Sequence, residues 1–293
     1  NRGVIVHGDT LPVRIEEEDL RIGNRAAEDR GKRARVAHRD LVHVHIAGGE
    51  SAIDGVERAR AVGGLSSAGQ VAGITLLDTG DYYAMGHNEL LIREALKGRD
   101  RSKALISVKF GALRDPGGNW LGFDGRPAAV KNALAYTLRR LGTDHVDIYR
   151  LGRTDPNVPI EETVGAIAEM VKAGYVRHVG LSESGEDTIR RVATTHPISD
   201  LQIEYSLVSR GIEERILPTC RELGIGITAY GVLSRGLISG HWTTGRDLPA
   251  NDFRKYAPRF AGENLRDNLA LVDALRTVAM ERKATVAQVA IAW

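Results

Sequence analysis

At 293 residues with 42% hydrophobic content, the chain can bury a sizeable core, and one domain is the default for this length. A balance of 40 Lys and Arg against 38 Asp and Glu leaves a net charge of +2, which gives no electrostatic reason for a nucleic-acid or anionic-membrane partner. The single Cys220 excludes an internal disulfide and a paired-cysteine zinc site, and no apolar run approaches the roughly 18 residues of a membrane span, so a reducing cytoplasmic setting and small-molecule partners are expected.

Residues 1–70 differ in character from residues 71–293. They hold no Phe, Trp, Tyr, Cys or Met, yet carry four of the nine histidines, His7, His38, His43 and His45. The alternation in Leu41 to Ile46 (LVHVHI) suits a half-buried strand, and Ile53 to Val62 reads as a short helix. His43 and His45 would share one strand face with no third ligand nearby, so they read as solvated, and no metal is expected.

From Val71 the text is regular. The apolar run Ile74 to Leu77 stops at the polar cluster Asp78-Thr79-Gly80-Asp81, which predicts Asp78 at a strand's carboxyl end and Tyr83 in the loop beyond. A helix then follows over Asn88 to Leu96, with Gly98 as its stop. The next apolar run, Ala104 to Val108, delivers Lys109 at its exit, so an acid, a phenol and an amine are predicted to face one site. Further strand-like runs at Val146 to Tyr149, His178 to Leu181, Leu201 to Tyr205 and Ile225 to Tyr230 alternate with helical patterns. These are Ala128 to Leu141, Ile160 to Ala173, Gly185 to Ala193, Gly211 to Leu223 and Arg266 to Met280. Six βα units are visible, an α/β pattern of the (β/α)8 TIM barrel that is two strands short. No GxGxxG joins a strand to a helix and no GxxxxGK[ST] occurs, which disfavours a doubly wound nucleotide fold.

These residues carry a family resemblance. LLDTGDYY with HNELLIREAL, ISVKFG, LRRLGTDHVDIY, RTDPNVPIEETVGAIAEMVKAGYVRHVGLSE, LQIEYSLVSR and GITAYGVLSRGLISG stand in the order of the aldo-keto reductases, including the pyridoxal-reductase-like members. The likeness runs from about Val71 to Trp293. It implies a (β/α)8 barrel, here incomplete at the first and eighth strands, that binds NADPH, with NADH as the alternative, at the carboxyl ends of its strands and reduces a small-molecule aldehyde or ketone. Residues 71–293 would form this barrel and residues 1–70 a divergent or frame-shifted segment.

The resemblance makes Tyr83 the proton donor, with Lys109 and Asp78 as its tuning pair. Elementary chemistry agrees, because a phenol of pKa about 10 is a poor acid at neutral pH until a neighbouring ammonium stabilises its phenolate. By the same resemblance Ser182 and Glu183 belong to the segment that holds the carboxamide, Gln202 is the next cofactor contact, Tyr230 stacks on the nicotinamide, and Leu233, Ser234 and Arg235 flank the pyrophosphate. Leu233 also reads as a core residue. Trp120 and Phe123, in the long Gly111 to Arg126 loop, either cover the substrate or pin the loop to the barrel.

The pattern departs from the family at the end of the fourth strand. A carbonyl-polarising histidine is common there, but this chain reads Arg150-Leu151-Gly152-Arg153, and Gly152 has no side chain to offer. His145 and His178 stand at strand beginnings, and Arg153 reads as a salt-bridging residue. Glu161 and Glu162 follow Pro159 at a helix start, where carboxylates suit the helix dipole. Two other classes therefore stand beside the reductase: a barrel that binds nicotinamide or a protein partner without turnover, and a Schiff-base enzyme using Lys109. The sequence names neither the carbonyl substrate nor the oligomeric state.

Overall fold

The computed structural model describes residues 44–45, 75–249 and 252–293. They fall into two compact units, one within 39–203 and 214–228, the other comprising 204–213 and 229–293.

The first unit is built on a parallel sheet. Its strands are β1 (Val44–His45), β2 (Leu76–Gly80), β3 (Leu105–Phe110), β6 (Val146–Leu151), β7 (Val176–Ser182), β8 (Ile198–Glu204) and β9 (Gly226–Tyr230), adjacent in that order, with β9 in this unit as far as Thr228. The helices between them are α1 (His87–Leu96), α2 (Pro127–Leu141), α3 (Ile160–Lys172), α4 (Glu186–Ala193) and α5 (Ile216–Leu223). Strand and helix alternate because neighbouring parallel strands need a crossover between them, and the crossover helices cover the sheet with Leu91 and Ile92, Val130 and Leu134, and Val164 and Ile167. This is the incomplete (β/α)8 barrel that the sequence pattern predicts. Its first slot is held by two residues, Val44 and His45, paired with Leu77 and Asp78. The rest of the Leu41–Ile46 run, the helix expected over Ile53 to Val62, the boundary at residue 70, His7 and His38, and the side chains of His43 and His45 lie outside the described residues.

The strands run further than their apolar text. β2 continues through Asp78 and Thr79 to Gly80, so Asp78 lies inside the strand and not at its end. Lys109 and Arg150 are likewise strand residues, not strand exits. Polar groups are tolerated there because the barrel interior gives them one another as partners. The Gly111 to Arg126 loop also has structure of its own: β4 (Ala112–Arg114) and β5 (Trp120–Phe123) pair as an antiparallel hairpin. Its tip is tied by the Asp115 carboxylate, which accepts from the Asn119 backbone N–H at 2.8 Å and from its side-chain amide at 2.9 Å.

The second unit packs α6 (Gly262–Glu281) and α7 (Val286–Ala292) around an apolar cluster that includes Leu207, Leu237, Ile238, Trp242, Val272 and Leu275. Thr285 and Gln288 form a reciprocal capping box at the start of α7. The helix expected over Gly211 to Leu223 starts only at Ile216. The preceding residues are held in a turn by Glu213, which accepts from the Tyr205 hydroxyl at 2.8 Å and from Arg210 Nε at 2.9 Å.

Candidate active site

The site is built by β2, β3 and the turn after β2. Asp78 and Lys109 are 2% and 3% exposed, and Lys109 Nζ lies 2.6 Å from Asp78 Oδ2. The second carboxylate oxygen accepts from Ser107 Oγ at 2.9 Å, so both oxygens of Asp78 are used. After Gly80 the chain turns sharply, with Ala84 (φ 47°) and Met85 (φ 53°) in the left-handed region. That turn brings the Tyr83 ring over Lys109, whose Nζ lies 5.1 Å from the ring centroid. Burial pulls the Lys109 ammonium below its ordinary pKa, while the Asp78 carboxylate works in the opposite direction.

The ion pair continues across the sheet. Arg150, fully buried in β6, donates from Nη2 to Ser107 Oγ at 2.7 Å and lies 3.0 Å from Asp200 Oδ2 of β8. Asp200 also accepts from the Thr228 hydroxyl. Lys109, Asp78, Ser107, Arg150 and Asp200 thus form one buried line of alternating charge. Gly180 makes room for it: a Cβ there would meet Asp200 Oδ1 at 2.6 Å and Arg150 Nε at 3.0 Å. Sequence reasoning missed Arg150, because only the pairing of β3 with β6, which sets Lys109 opposite Arg150, brings it to this line.

Tyr82 is a second residue that the family motif leaves without a role. It lies edge-on to Tyr83, with ring centroids 5.1 Å apart and planes at 86°, and edge-on to Trp120 at 6.5 Å. A Cβ built at Gly152 would meet the Tyr82 hydroxyl at 3.1 Å and Phe123 Cε1 at 2.9 Å. Both hairpin aromatics therefore reach the neighbourhood of Tyr82. Burial pushes the Tyr82 phenol up to about 12, with Arg153 opposing. Arg153 itself donates to the Gly152 carbonyl at 2.7 Å and to Ser182 Oγ at 3.4 Å. Asp81, whose backbone N–H donates to the Lys109 carbonyl at 2.8 Å, has its carboxyl raised to about 7, first by burial and then by Glu89.

Of the residues expected at a cofactor, Ser182 and Gln202 are buried and paired in register between β7 and β8. Glu183 has φ 52° and donates its backbone N–H to the Gln202 carbonyl at 2.9 Å. Tyr230, Leu233, Ser234 and Arg235 belong to the second unit. Within it, the Arg235 guanidinium lies 5.7 Å from the Tyr230 ring centroid, Leu233 packs on the apolar cluster, and Ser234 Oγ accepts from Arg259 Nη1 at 2.8 Å. Ser234 and Arg235 are both left-handed, at φ 47° and 59°. Glu161 and Glu162 lie in the first turn of α3, where Glu161 accepts from Arg191 Nε at 2.7 Å. His145 sits beside Asp144, and His178 is the third residue of β7. Among the described residues no helix is long and apolar enough to cross a membrane.

Comparisons with known proteins agree with this architecture. A match to the Aldo/keto reductase family covers residues 45–293, starting ahead of Val71. The Glycine max protein named probable aldo-keto reductase 1 is 43% identical over 221 residues, which is 75% of this chain and 63% of that protein. The chain thus spans under two thirds of that relative's length. The glycerol dehydrogenase structure from Gluconobacter oxydans superposes with a TM-score of 0.74 at 26% identity, covering 84% of this chain and 75% of that one. An aldo-keto reductase from Klebsiella pneumoniae, solved with NADPH, gives a TM-score of 0.60 at 26% identity over 83% of this chain and 72% of that one. With barrel, motif order and family match in agreement, the chain belongs to the aldo/keto reductase family, a family of oxidoreductases.

Proposed function

We propose that the chain reduces an aldehyde or ketone to an alcohol, with Tyr83 giving the proton to the carbonyl oxygen and Lys109, oriented by Asp78, making that phenol acidic enough to do so. The observation that carries this reading is the buried 2.6 Å Lys109–Asp78 pair with the amine over the Tyr83 ring. An ammonium desolvated beside a phenol ring, here 5.1 Å from its centroid, stabilises a phenolate far more than it would in water. The same contact argues against a Schiff-base role, because an amine bound to a carboxylate is held charged and is a poor nucleophile.

NADPH, or NADH in its place, would supply the hydride when bound. The residues present suit such a cofactor. Ser182 and Gln202 offer a buried hydroxyl and amide for a carboxamide, Glu183 borders them, and the resemblance adds Tyr230, Leu233, Ser234 and Arg235 as ring and pyrophosphate contacts. The left-handed Ser234–Arg235 pair and its guanidinium are chemically apt for an anion, whereas Leu233 is better accounted for as core. The NADPH-bound Klebsiella pneumoniae relative supports the cofactor. The Trp120 and Phe123 side chains would wall the carbonyl substrate.

The test is loss of NADPH absorbance with a simple aromatic aldehyde. Tyr83→Phe is expected to slow it on the order of 100- to 10,000-fold, the usual worth of a positioned acid. Turnover that survives this change intact would refute the assignment. Gly152 favours a second reading, a barrel that binds nicotinamide or a partner without turnover; cofactor binding by tryptophan quenching with no absorbance loss would support it.

A further inference from the structure

Hydride addition drives negative charge onto the carbonyl oxygen, and a second donor aimed at that oxygen is among the strongest levers a site possesses. Gly152 supplies no such donor and leaves no room for one, since the Tyr82 hydroxyl already stands 3.1 Å from where its Cβ would be. We infer that the Tyr82 hydroxyl, held above Gly152 at the exit of β6, is the second hydrogen-bond donor to the carbonyl oxygen that Tyr83 protonates. This inference rests on the proposed reductase activity.

Three observations carry it. The two phenols belong to adjacent residues, their rings meet edge to face at 5.1 Å, and their side chains are hydrogen-bond partners, so their hydroxyls converge on one place. The Tyr82 ring is fixed by its neighbours: Trp120 lies edge-on to it, and Phe123 and Tyr82 together fill the space over Gly152. Arg153 donates to the Gly152 carbonyl at 2.7 Å and so fixes the backbone beneath the hydroxyl.

The two phenols also differ in the charge around them. Lys109 stands over the Tyr83 ring, whereas Tyr82, with its pKa near 12, keeps its proton at any working pH and donates without transferring it. The balance is simple. Carbon gains the hydride, oxygen gains the Tyr83 proton, Tyr83 recovers its proton from solvent, and Tyr82 is unchanged at the end of the cycle.

The experiment compares the full chain with Tyr82→Phe, Tyr82→Ala, Gly152→His and the double variant Tyr82→Ala/Gly152→His. It reads kcat and KM for an aromatic aldehyde, and NADPH affinity by tryptophan quenching. Tyr82→Phe should lower kcat on the order of 100-fold while NADPH affinity stays unchanged, because one oxygen and no packing is removed. Gly152→His alone should be crippled by collision with Tyr82 and Phe123, and in the double variant the Phe123 contact at 2.9 Å remains, so at most a part of that loss should be relieved. Such relief would follow for any tyrosine there, so the discriminating readout is Tyr82→Phe, which removes the hydroxyl alone: a merely packing tyrosine would keep its kcat. A parent that turns over while Tyr82→Phe matches it overturns the inference and leaves the reductase reading standing. A fall in kcat accompanied by an equal loss of NADPH affinity also overturns it, by making Tyr82 a packing residue. A parent that binds NADPH and never oxidises it overturns the reductase reading and the inference with it.

Discussion

Inside the barrel unit, Lys109, Asp78, Arg150 and Asp200 pair with side chains that are almost wholly shielded, Arg150 at 0% exposure. On the helices around it, Arg191 pairs with Glu161 at 58% and 34% exposure, and Arg190 reaches Glu186 and Glu222. Both sets join a cation to a carboxylate at similar distances, yet the physics is opposite. A surface pair exchanges hydration for contact at little net gain, whereas a buried pair has already lost its water and depends wholly on its partner. The interior line therefore fixes geometry: Asp78 can orient Lys109 because Ser107 and Arg150 hold it from the other side.

The sharpest way to break this contrast is Asp200→Ala. It leaves the Arg150 guanidinium buried with Nε and Nη1 already lacking partners, and the loss should be about 3 to 5 kcal/mol in urea unfolding. Arg150→Met/Asp200→Leu should lose far less, since an apolar pair of similar volume carries no desolvation penalty. If the single and the double variant unfold at the same urea concentration, the charge line is not what holds this part of the sheet. Reductase activity should fall in the double variant even where stability is kept, because Ser107 then loses the donor that orients it toward Asp78.

A smaller effect concerns Asp81, whose carboxyl is raised from 3.8 to about 7, first by burial. A raised carboxyl favours the folded state while protonated, so its contribution is full below about pH 4 and is lost as pH climbs toward 7. The loss is on the order of 2 kcal/mol, after allowing for partial solvent access. The difference in unfolding free energy between parent and Asp81→Asn, followed from pH 4 to 8, should swing toward the variant over that window. A difference that stays flat would mean that Asp81 is ionised throughout.

The text of the sequence carries the barrel and the Asp78, Tyr83, Lys109 trio because βα spacing and ordered motifs survive as linear patterns. It hides whatever depends on two distant strands meeting. Arg150 looks like a charge ending the apolar run Val146 to Tyr149, and only its register opposite Lys109 turns it inward. Asp200 stands before the run Leu201 to Tyr205 and is drawn into β8 by Arg150. Apolar runs understate the strands for the same reason, since in a barrel interior the polar residues that end such a run can still be paired. The hairpin of β4 and β5 leaves a trace in Asp115-Pro116-Gly117-Gly118-Asn119, a turn sequence between two apolar stretches. Tyr82 is invisible in sequence because its role depends on the empty Cβ position of Gly152, seventy residues further on.

The least consequential change is on the outside. Glu161→Gln removes the carboxylate that Arg191 grips at 2.7 and 2.8 Å, a fork geometry that looks strong on distance alone. Arg191 at that site is open to water, so it regains hydration when the partner is lost, and the urea midpoint should not move measurably. Adding salt should leave the parent's midpoint equally indifferent to this pair, because a contact that contributes little unscreened has little left to screen. A shift comparable to that of Asp200→Ala would mean that exposure is the wrong variable, and that bidentate geometry alone decides which of these ion pairs holds the structure.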